Sequence, residues 1–187
     1  IQDVLQPMRA LYLRMPAVAT LVLAVGAGYL IGGIRSALVV AALTLFIALS
    51  PWWDRALVTL YMATFGVVIS CLIGFTVGTL CFQNKKSAAF MLGVCDIFQT
   101  FPSFVYLIPV MMLFGITDTS VLIAVIVYAT IPATRYTIEG LRSVPVGLHE
   151  AATMSGVNKF QRLTKIEFPL AFPHMMLGLN QTIVFAL

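Results

Sequence analysis

Aromatic and small polar side chains are interleaved in one short stretch of this chain, residues 98–106. Its aromatic members are Phe98, Phe101, Phe104 and Tyr106, and its polar members are Gln99, Thr100 and Ser103. Aromatic faces attract a quaternary ammonium, a cation with no N–H group to donate, through the cation–π interaction. The polar side chains could solvate a carboxylate or line a wet path. The alternative is that the rings pack against other helices.

A proline, Pro102, lies in the middle of a long apolar run at residues 87–115. Proline inside a membrane helix frees backbone carbonyls, which neighbouring groups or a water-filled cavity must satisfy. The sequence therefore predicts a short helix at Ala88–Asp96, a break, and a span from Phe101 to Phe114. Asp96 is predicted to cap the helix that follows it; the alternative is a functional acid within the membrane.

The composition places the whole chain in the membrane class. Of its 187 residues, 60% are hydrophobic and only 10% are charged, and the mean hydropathy is +1.00. A soluble domain needs more charge than this to cover its surface. The length fits about six spans of roughly 20 residues each. We therefore predict an all-α, polytopic helical membrane protein.

Six apolar segments are candidates for the spans. They are Pro16–Ile34, Ala37–Leu49, Ala56–Phe82, the interrupted run, Ser120–Thr134 and a segment that starts at Pro169. We predict N-terminal helices and an interfacial turn over residues 1–55, and a core domain over 56–187 that is truncated at its C-terminal end. In the last segment, Asn180 and Gln181 are expected to form hydrogen bonds between helices, with a place in the path as the alternative.

The positive charges indicate an orientation rather than nucleic-acid binding. The formal net charge is +4, and the basic residues lie at segment ends and in one loop. Seven of them can share one side of the membrane: Lys85, Lys86, Arg135, Arg142, Lys159, Arg162 and Lys165. Lys and Arg are enriched in cytoplasmic loops, so that side is predicted to be the cytoplasm.

A polar stretch at residues 135–167 interrupts the apolar segments and contains helix signals. Pro145 suits the first turn of a helix, and Gly156 suits the left-handed residue that ends one. Asn158 can cap a second helix, with Gln161 three residues later in a loose capping box. Two capped helices are therefore predicted here. A solvated loop that only connects two spans is the alternative.

The stretch from Glu150 to Pro169 resembles a known motif. The spacing of Glu150-Ala151-Ala152, Gly156, Ile166 and Pro169 is similar to the EAA loop of permease subunits of binding-protein-dependent ABC importers. In that family the loop forms a cytoplasmic coupling helix that docks on an ATPase subunit. The resemblance implies that these six residues couple this chain to an ATPase.

A second resemblance narrows the family. The sequence DIFQTFPSFVYLIP at Asp96–Pro109, followed by MMLFGI, is similar to the permeases for glycine betaine, proline betaine and choline, as is Gly178–Thr182. Phe168 departs from the Leu that often precedes the motif proline. The resemblance implies a substrate path or gate that includes Phe98, Gln99, Thr100, Phe101, Pro102, Ser103, Phe104, Tyr106, Asn180 and Gln181.

The resemblance also implies partners. They are a cytoplasmic ATP-binding subunit dimer that binds ATP and Mg, a periplasmic or lipid-anchored substrate-binding protein, a second permease chain as a homodimer, and the lipid of the inner membrane. Alternating access is the implied mechanism. The chain itself lacks the Gly-x-x-x-x-Gly-Lys-Ser/Thr phosphate loop, and its three cysteines have no metal-ligand spacing. We therefore expect no catalytic residue, cofactor or metal in this chain.

Three other functions stay open at the level of the sequence. The first is an ABC permease for an amino acid or another polar solute. The second is an ion-coupled secondary transporter, because such proteins also place broken helices at their binding sites. The third is a membrane scaffold that transports nothing.

Overall fold

The regular structure of the described chain is helical. The computed structural model describes residues 7, 10, 12–14 and 16–187, and for His149 only the backbone. The helices are α1 Ala17–Ala48, α2 Trp53–Phe82, α3 Lys85–Thr100, α4 Phe104–Phe114, α5 Asp118–Arg142, α6 Val146–Met154, α7 Lys159–Arg162 and α8 Phe168–Ala186, with a π-helical turn at Leu163–Glu167. The prediction of an all-α fold is confirmed for these residues.

The first helix is folded back at two glycines. Gly32 and Gly33 leave the helical region, and Gly33 has φ +68°, which glycine adopts without a steric penalty. A Cβ built on Gly28 would lie 3.1 Å from Cγ2 of Val40, a distance that a straight helix does not allow between residues twelve apart. The two arms correspond to the two segments predicted here, and the turn lies just inside the first of them.

The described chain divides into two compact units, Ile1–Met62 and Ala63–Leu187. In the first unit, the guanidinium of Arg55 lies 5.0 Å from the centre of the Trp52 ring. This cation–π contact suits an interfacial turn, where aromatic and basic side chains are enriched. The domain boundary predicted between residues 55 and 56 stays a prediction.

Helix α5 is the centre of the second unit. Small residues let the neighbouring helices approach its backbone closely. On the α2 side, a Cβ built on Gly74 would lie 2.4 Å from Cβ of Ala133. On the α8 side, a Cβ built on Gly178 would lie 2.7 Å from Cβ of Tyr136. Any side chain at these glycines would push the helices apart, so α2, α5 and α8 form the packed frame of this unit.

Two helices are longer than the sequence predicts. Helix α5 continues to Arg142 instead of ending at Thr134, and α3 continues past Asp96 to Thr100. The prediction that Asp96 caps a following helix is wrong: Asp96 lies inside α3 and forms an ion pair with Arg135 of α5. The carboxylate of Asp96 and the guanidinium of Arg135 compensate each other, so each can lie inside a helix. A prediction from local hydropathy places a helix end at such a charged residue.

Three described helices, α1, α2 and α5, are long and apolar enough to cross a membrane. The pair α3–α4 passes the same test as a fourth candidate, bent by 88° at its break. These helices support a membrane fold.

Candidate functional site

The bend between α3 and α4 is the first candidate site. It is formed by Phe101, Pro102 and Ser103, between the end of α3 and the start of α4. The hydroxyl of Thr100 donates to the carbonyl of Ile97 at 2.6 Å, which gives this last-turn carbonyl a partner. Beyond the break, the amides of Val105 and Tyr106 donate to the carbonyls of Pro102 and Ser103 at 3.0 and 3.2 Å. The proline break that the sequence predicts is therefore present, and α4 starts three residues later than predicted.

Four aromatic rings from four helices form a continuous stack beside this bend. The ring centroids of Phe98 and Tyr106 lie 5.6 Å apart, those of Tyr106 and Tyr128 5.4 Å, and those of Tyr128 and Phe185 4.8 Å. Sequence reasoning identified the first two rings and missed Tyr128 and Phe185. These two lie on α5 and α8, far along the chain, and no local pattern joins them to the bend.

The stack determines what its rings can bind. A cation–π site needs a free ring face within about 6 Å of the cation. In this conformation the faces of Tyr106 and Tyr128 are turned toward neighbouring rings, at interplanar angles of 13° and 33° for Tyr106 and 12° for the Tyr128–Phe185 pair. The rings therefore pack against one another here, and a cation would reach the inner faces only after the stack opens.

A cavity of about 190 Å³ lies along one side of the stack. Its lining is mostly apolar: Ser103, Phe104, Leu107, Val121, Ala124, Val125, Tyr128, Phe185, Ala186 and Leu187. It is smaller than typical drug-sized ligand pockets, which begin at about 300 Å³. Its size suits a solute of a few heavy atoms.

The other residues predicted for the path are distributed around the bend. Gln99 accepts a hydrogen bond from Nη1 of Arg135 at 3.2 Å. Phe101 and Phe104 are exposed, at 47% and 59%. On α8, Asn180 is exposed and Gln181 is half-buried, and it is Phe185, one turn after Gln181, that reaches the stack. The structure thus brings Phe98 and Tyr106 together but does not place Asn180 or Gln181 in the stack.

The loop between α5 and α8 is the second candidate site. Helix α6 ends in a Schellman motif, in which the amide of Val157 donates to the carbonyl of Ala152 and the amide of Gly156 to that of Thr153, both at 3.1 Å. Gly156 has φ +71°, the left-handed conformation that the sequence predicts.

Helix α7 begins with the capping box that the sequence predicts. The amide of Gln161 donates to Oδ1 of Asn158 at 2.8 Å, and the amide of Asn158 donates to Oε1 of Gln161 at 3.1 Å. The turn between α6 and α7 is therefore fixed by backbone–backbone hydrogen bonds at the end of α6 and by side-chain caps at the start of α7, and the loop is a structured element.

The six motif residues of this loop differ in exposure. Glu150, Ala151, Gly156 and Pro169 are exposed, and Ile166 is half-buried. Ala152 is only 3% exposed. Its small side chain lets α6 pack on its own chain, so it is not available to a partner.

Large apolar side chains point outward from the same loop. Met154 is 91% exposed, Phe160 72% and Val146 69%. Large apolar side chains exposed on a polar, structured loop are typical of a protein–protein contact surface. We call Val146, Met154 and Phe160 the docking face.

An ion pair with a buried carboxylate joins the loop to the start of α8. Nε of Arg162 donates to Oε1 of Glu167 at 2.9 Å, and the Glu167 side chain is 2% exposed. This pair borders a cavity of about 340 Å³ lined by Phe82, Gln83, Lys159, Phe160, Arg162, Leu163 and Glu167. The pair spans the π-helical turn, so it fixes α7 relative to the segment that leads into α8.

Comparison with known proteins gives one family match. Residues 66–187 match the family of binding-protein-dependent transport system inner membrane components. The matched region contains both candidate sites, the bend and the loop.

Individual relatives agree with this match. The chain is 89% identical over 187 residues to the trimethylamine N-oxide transport system permease protein TmoV of Pelagibacter ubique, covering 100% of this chain and 26% of the relative. It is 45% identical over 183 residues to TmoV of Ruegeria pomeroyi, covering 98% of this chain and 28% of the relative.

A third relative is more distant. The chain is 32% identical over 184 residues to the glycine betaine/proline betaine transport system permease protein ProW of Escherichia coli, covering 98% of this chain and 52% of the relative. The chain therefore spans about a quarter of the length of the two TmoV proteins and about half of ProW.

Proposed function

Since this chain belongs to the family of binding-protein-dependent transport system inner membrane components, we propose that it is the membrane-spanning part of an ATP-driven importer. As a member of that family with several helices apolar enough to span, it is a multi-pass protein of the inner membrane. Its proposed cargo is a small methylated amine. The proposed mechanism is alternating access, in which a separate ATPase supplies the energy.

The observation that carries this proposal is the structured loop at residues 146–169. A loop that only connected two spans would not need a Schellman motif, a capping box and an ion pair with a buried carboxylate. These features hold Glu150 at the surface together with the docking face (Val146, Met154 and Phe160). A rigid, outward-facing, partly apolar helix is suited to a groove on a partner protein. We propose that this partner is the ATPase subunit.

The cargo is inferred from the relatives and from the aromatic stack. The relatives are named for trimethylamine N-oxide and for glycine betaine and proline betaine transport. These solutes share a methylated ammonium group and a negatively charged oxygen. Aromatic faces suit the ammonium, and the rings of Phe98, Tyr106, Tyr128 and Phe185 would present free faces if the stack opened. We therefore propose that the stack is the closed state of a gate and that transport separates the rings.

The rest of the assembly follows from the same family. We propose about six spans in this part of the chain, with residues 1–55 as N-terminal helices and 56–187 as the permease core. Two permease chains would enclose the path, and a separate ATPase dimer would bind ATP and Mg. A substrate-binding protein would deliver the cargo, which leaves the permease path free to bind it weakly. An ion-coupled secondary transporter would not need the docking face.

The test is uptake by the reconstituted complex. Full-length permease, its ATPase and its binding protein are placed in liposomes, and uptake of labelled trimethylamine N-oxide and glycine betaine is measured with and without ATP. We expect uptake that requires both ATP and the binding protein. Uptake driven by an ion gradient without ATP would contradict the proposal, and so would equal uptake of an unmethylated amino acid.

Two charge reversals separate docking from general damage. Glu150→Arg places a positive charge on α6 and is expected to reduce both the co-purification of the ATPase and the uptake. Asp54→Arg makes the same change at an exposed acid in the first unit and is expected to leave both near the wild-type level. Normal uptake by Glu150→Arg would remove this loop from the mechanism.

A further inference from the structure

Arg135 joins the bent segment to the central helix. From α5, its Nη1 donates to the carboxylate of Asp96 and, at 3.2 Å, to Oε1 of Gln99, both on α3. Its Nε donates to Oε1 of Glu139, one turn further along α5, at 3.0 Å. The Arg135 side chain is 30% exposed. Two carboxylates therefore share one guanidinium, and the cluster carries a formal charge of −1.

The cluster lies between the loop and the bend. At the loop end of α5, Nη2 of Arg142 donates to the backbone carbonyl of Lys85, the first residue of α3, at 3.2 Å. Arg135 is about 10 Å from Arg142 along α5, and Asp96 is about 16 Å from Lys85 along α3, at 1.5 Å per residue. The helices thus run in opposite directions, and the aromatic stack at Tyr128 begins two turns beyond Arg135.

Helix α5 is fixed firmly on its other sides. Its backbone touches α2 so closely that a Cβ on Gly78 would lie 2.6 Å from Cβ of Thr137, and Ser70 of α2 donates to the carbonyl of Ile126 at 3.1 Å. The side-chain hydrogen bonds between α3 and α5 include those of Arg135, that of Arg142 and a long contact of 3.8 Å from Sγ of Cys95 to the carbonyl of Ile131. Arg135 is therefore the main polar link from the packed frame to α3.

We propose that Arg135 is a positioning residue that makes α3 and the bend move with α5, so that a displacement at the loop reaches the aromatic stack. This inference rests on the proposed importer function and adds to it the route by which the loop acts on the gate. Charged groups within membrane-spanning helices are costly and are held by partners. The ion pair of Arg135 and Asp96 keeps α3 and α5 in one register, because sliding the helices apart would leave both charges uncompensated.

The charges predict an order among three variants. Arg135→Gln leaves Asp96 and Glu139 with no guanidinium between them and should be the most damaging. Asp96→Asn removes the carboxylate of α3 and leaves Arg135 paired with Glu139 of its own helix, with the bond to Gln99 as its remaining link to α3, so it should lower transport less than Arg135→Gln but measurably. The double variant removes one of the two carboxylates that Arg135→Gln leaves behind, so it should transport better than Arg135→Gln alone.

The test measures substrate moved per ATP hydrolysed. The full-length complex is reconstituted with its ATPase and binding protein, and uptake of labelled trimethylamine N-oxide is divided by ATP turnover. We expect Arg135→Gln to lower this ratio by about tenfold, within the range of coupling free energies between sites, while ATP turnover continues. Arg35→Gln, the same change at an exposed arginine of α1, serves as the matched control and should keep the wild-type ratio.

The outcomes separate this inference from the proposed function. If Arg135→Gln lowers only the amount of assembled complex and leaves the ratio unchanged, Arg135 is structural and the inference is wrong. If the double variant is no better than Arg135→Gln, charge pairing is not its basis and the inference is also wrong. If the wild-type complex hydrolyses ATP but takes up neither trimethylamine N-oxide nor glycine betaine, the proposed function itself fails.

Discussion

The phenol of Tyr106 donates a hydrogen bond of 2.6 Å to the backbone carbonyl of Phe98. The donor lies in α4 and the acceptor in α3, so the bond spans the 88° bend between the two helices. The rings of the same two residues are stacked with centroids 5.6 Å apart. One pair of residues therefore provides both a polar and an apolar contact across the break at Pro102.

Removing the hydroxyl of Tyr106 should weaken the contact across the bend while the ring stays in place. Tyr106→Phe keeps the ring and deletes the hydrogen bond, and we expect it to lower the free energy of unfolding by about 1 kcal/mol. Tyr106→Ala also loses the stacking and should cost about 3 kcal/mol or more. Thermal unfolding of the purified protein measures both. Tyr29→Phe, at a tyrosine that is 58% exposed, is the control and should have no effect.

A methyl group at the crossing of α2 and α5 should be destabilising. A Cβ on Gly74 would lie 2.4 Å from Cβ of Ala133 and 2.9 Å from the backbone nitrogen of Thr134. Backbone cannot yield as a flexible side chain can, so Gly74→Ala should cost about 1–3 kcal/mol. The same change at Gly93, with nothing within 4 Å of the built Cβ, should be neutral or slightly stabilising in its helix. Equal unfolding temperatures for the two variants would contradict this view of the crossing.

The stability of the turn between α6 and α7 should depend on the backbone conformation of Gly156. Gly156 has φ +71°, and a built Cβ meets nothing within 4 Å. Gly156→Ala should therefore cost about 1–2 kcal/mol through the left-handed conformation, and Gly156→Asn less, because Asn tolerates this position. Binding of the ATPase should fall in the same order. Gly147→Ala, which changes a glycine with open space inside α6, should bind normally.

The ion pair at the start of α8 should behave differently when one or both partners are changed. Arg162→Gln removes the guanidinium from a Glu167 side chain that is 2% exposed, and we expect a loss of about 1–3 kcal/mol because a hydrogen bond to a buried charged group is lost. Replacing both, as Arg162→Met with Glu167→Leu, should recover most of that loss because no buried charge remains. A double-mutant cycle on unfolding free energies measures the difference. A double variant as unstable as Arg162→Gln would show that the loss of stability does not come from the uncompensated charge of Glu167.

The sequence could predict features that depend on neighbouring residues. The break at Pro102, the left-handed Gly156 and the capping box of Asn158 and Gln161 each have a local physical cause, and the structure contains all three. The resemblance of the Glu150–Pro169 motif led to the family that the comparisons give.

Features that join distant residues could not be predicted in this way. Asp96 and Arg135 are 39 residues apart. A prediction from the hydropathy of neighbouring residues ends an apolar helix at each of them. Only their pairing explains why both lie inside helices. The positions of the Tyr128 and Phe185 rings in the stack could not be predicted either. The packing of α5 and α8 brings them to Tyr106, and the residues next to them in the sequence do not indicate this contact.

The π-helical turn at Leu163–Glu167 joins the docking loop to α8 without a break. A π turn bonds residue i to i+5 and so holds one residue more than an α turn. One residue corresponds to about 100° of rotation around a helix axis. The single additional residue therefore sets the angle at which Lys159 and Arg162 of α7 lie around the axis relative to α8. Deleting one residue within this turn would rotate Lys159 and Arg162 by about 100° about the axis while the packing of α8 stayed in place.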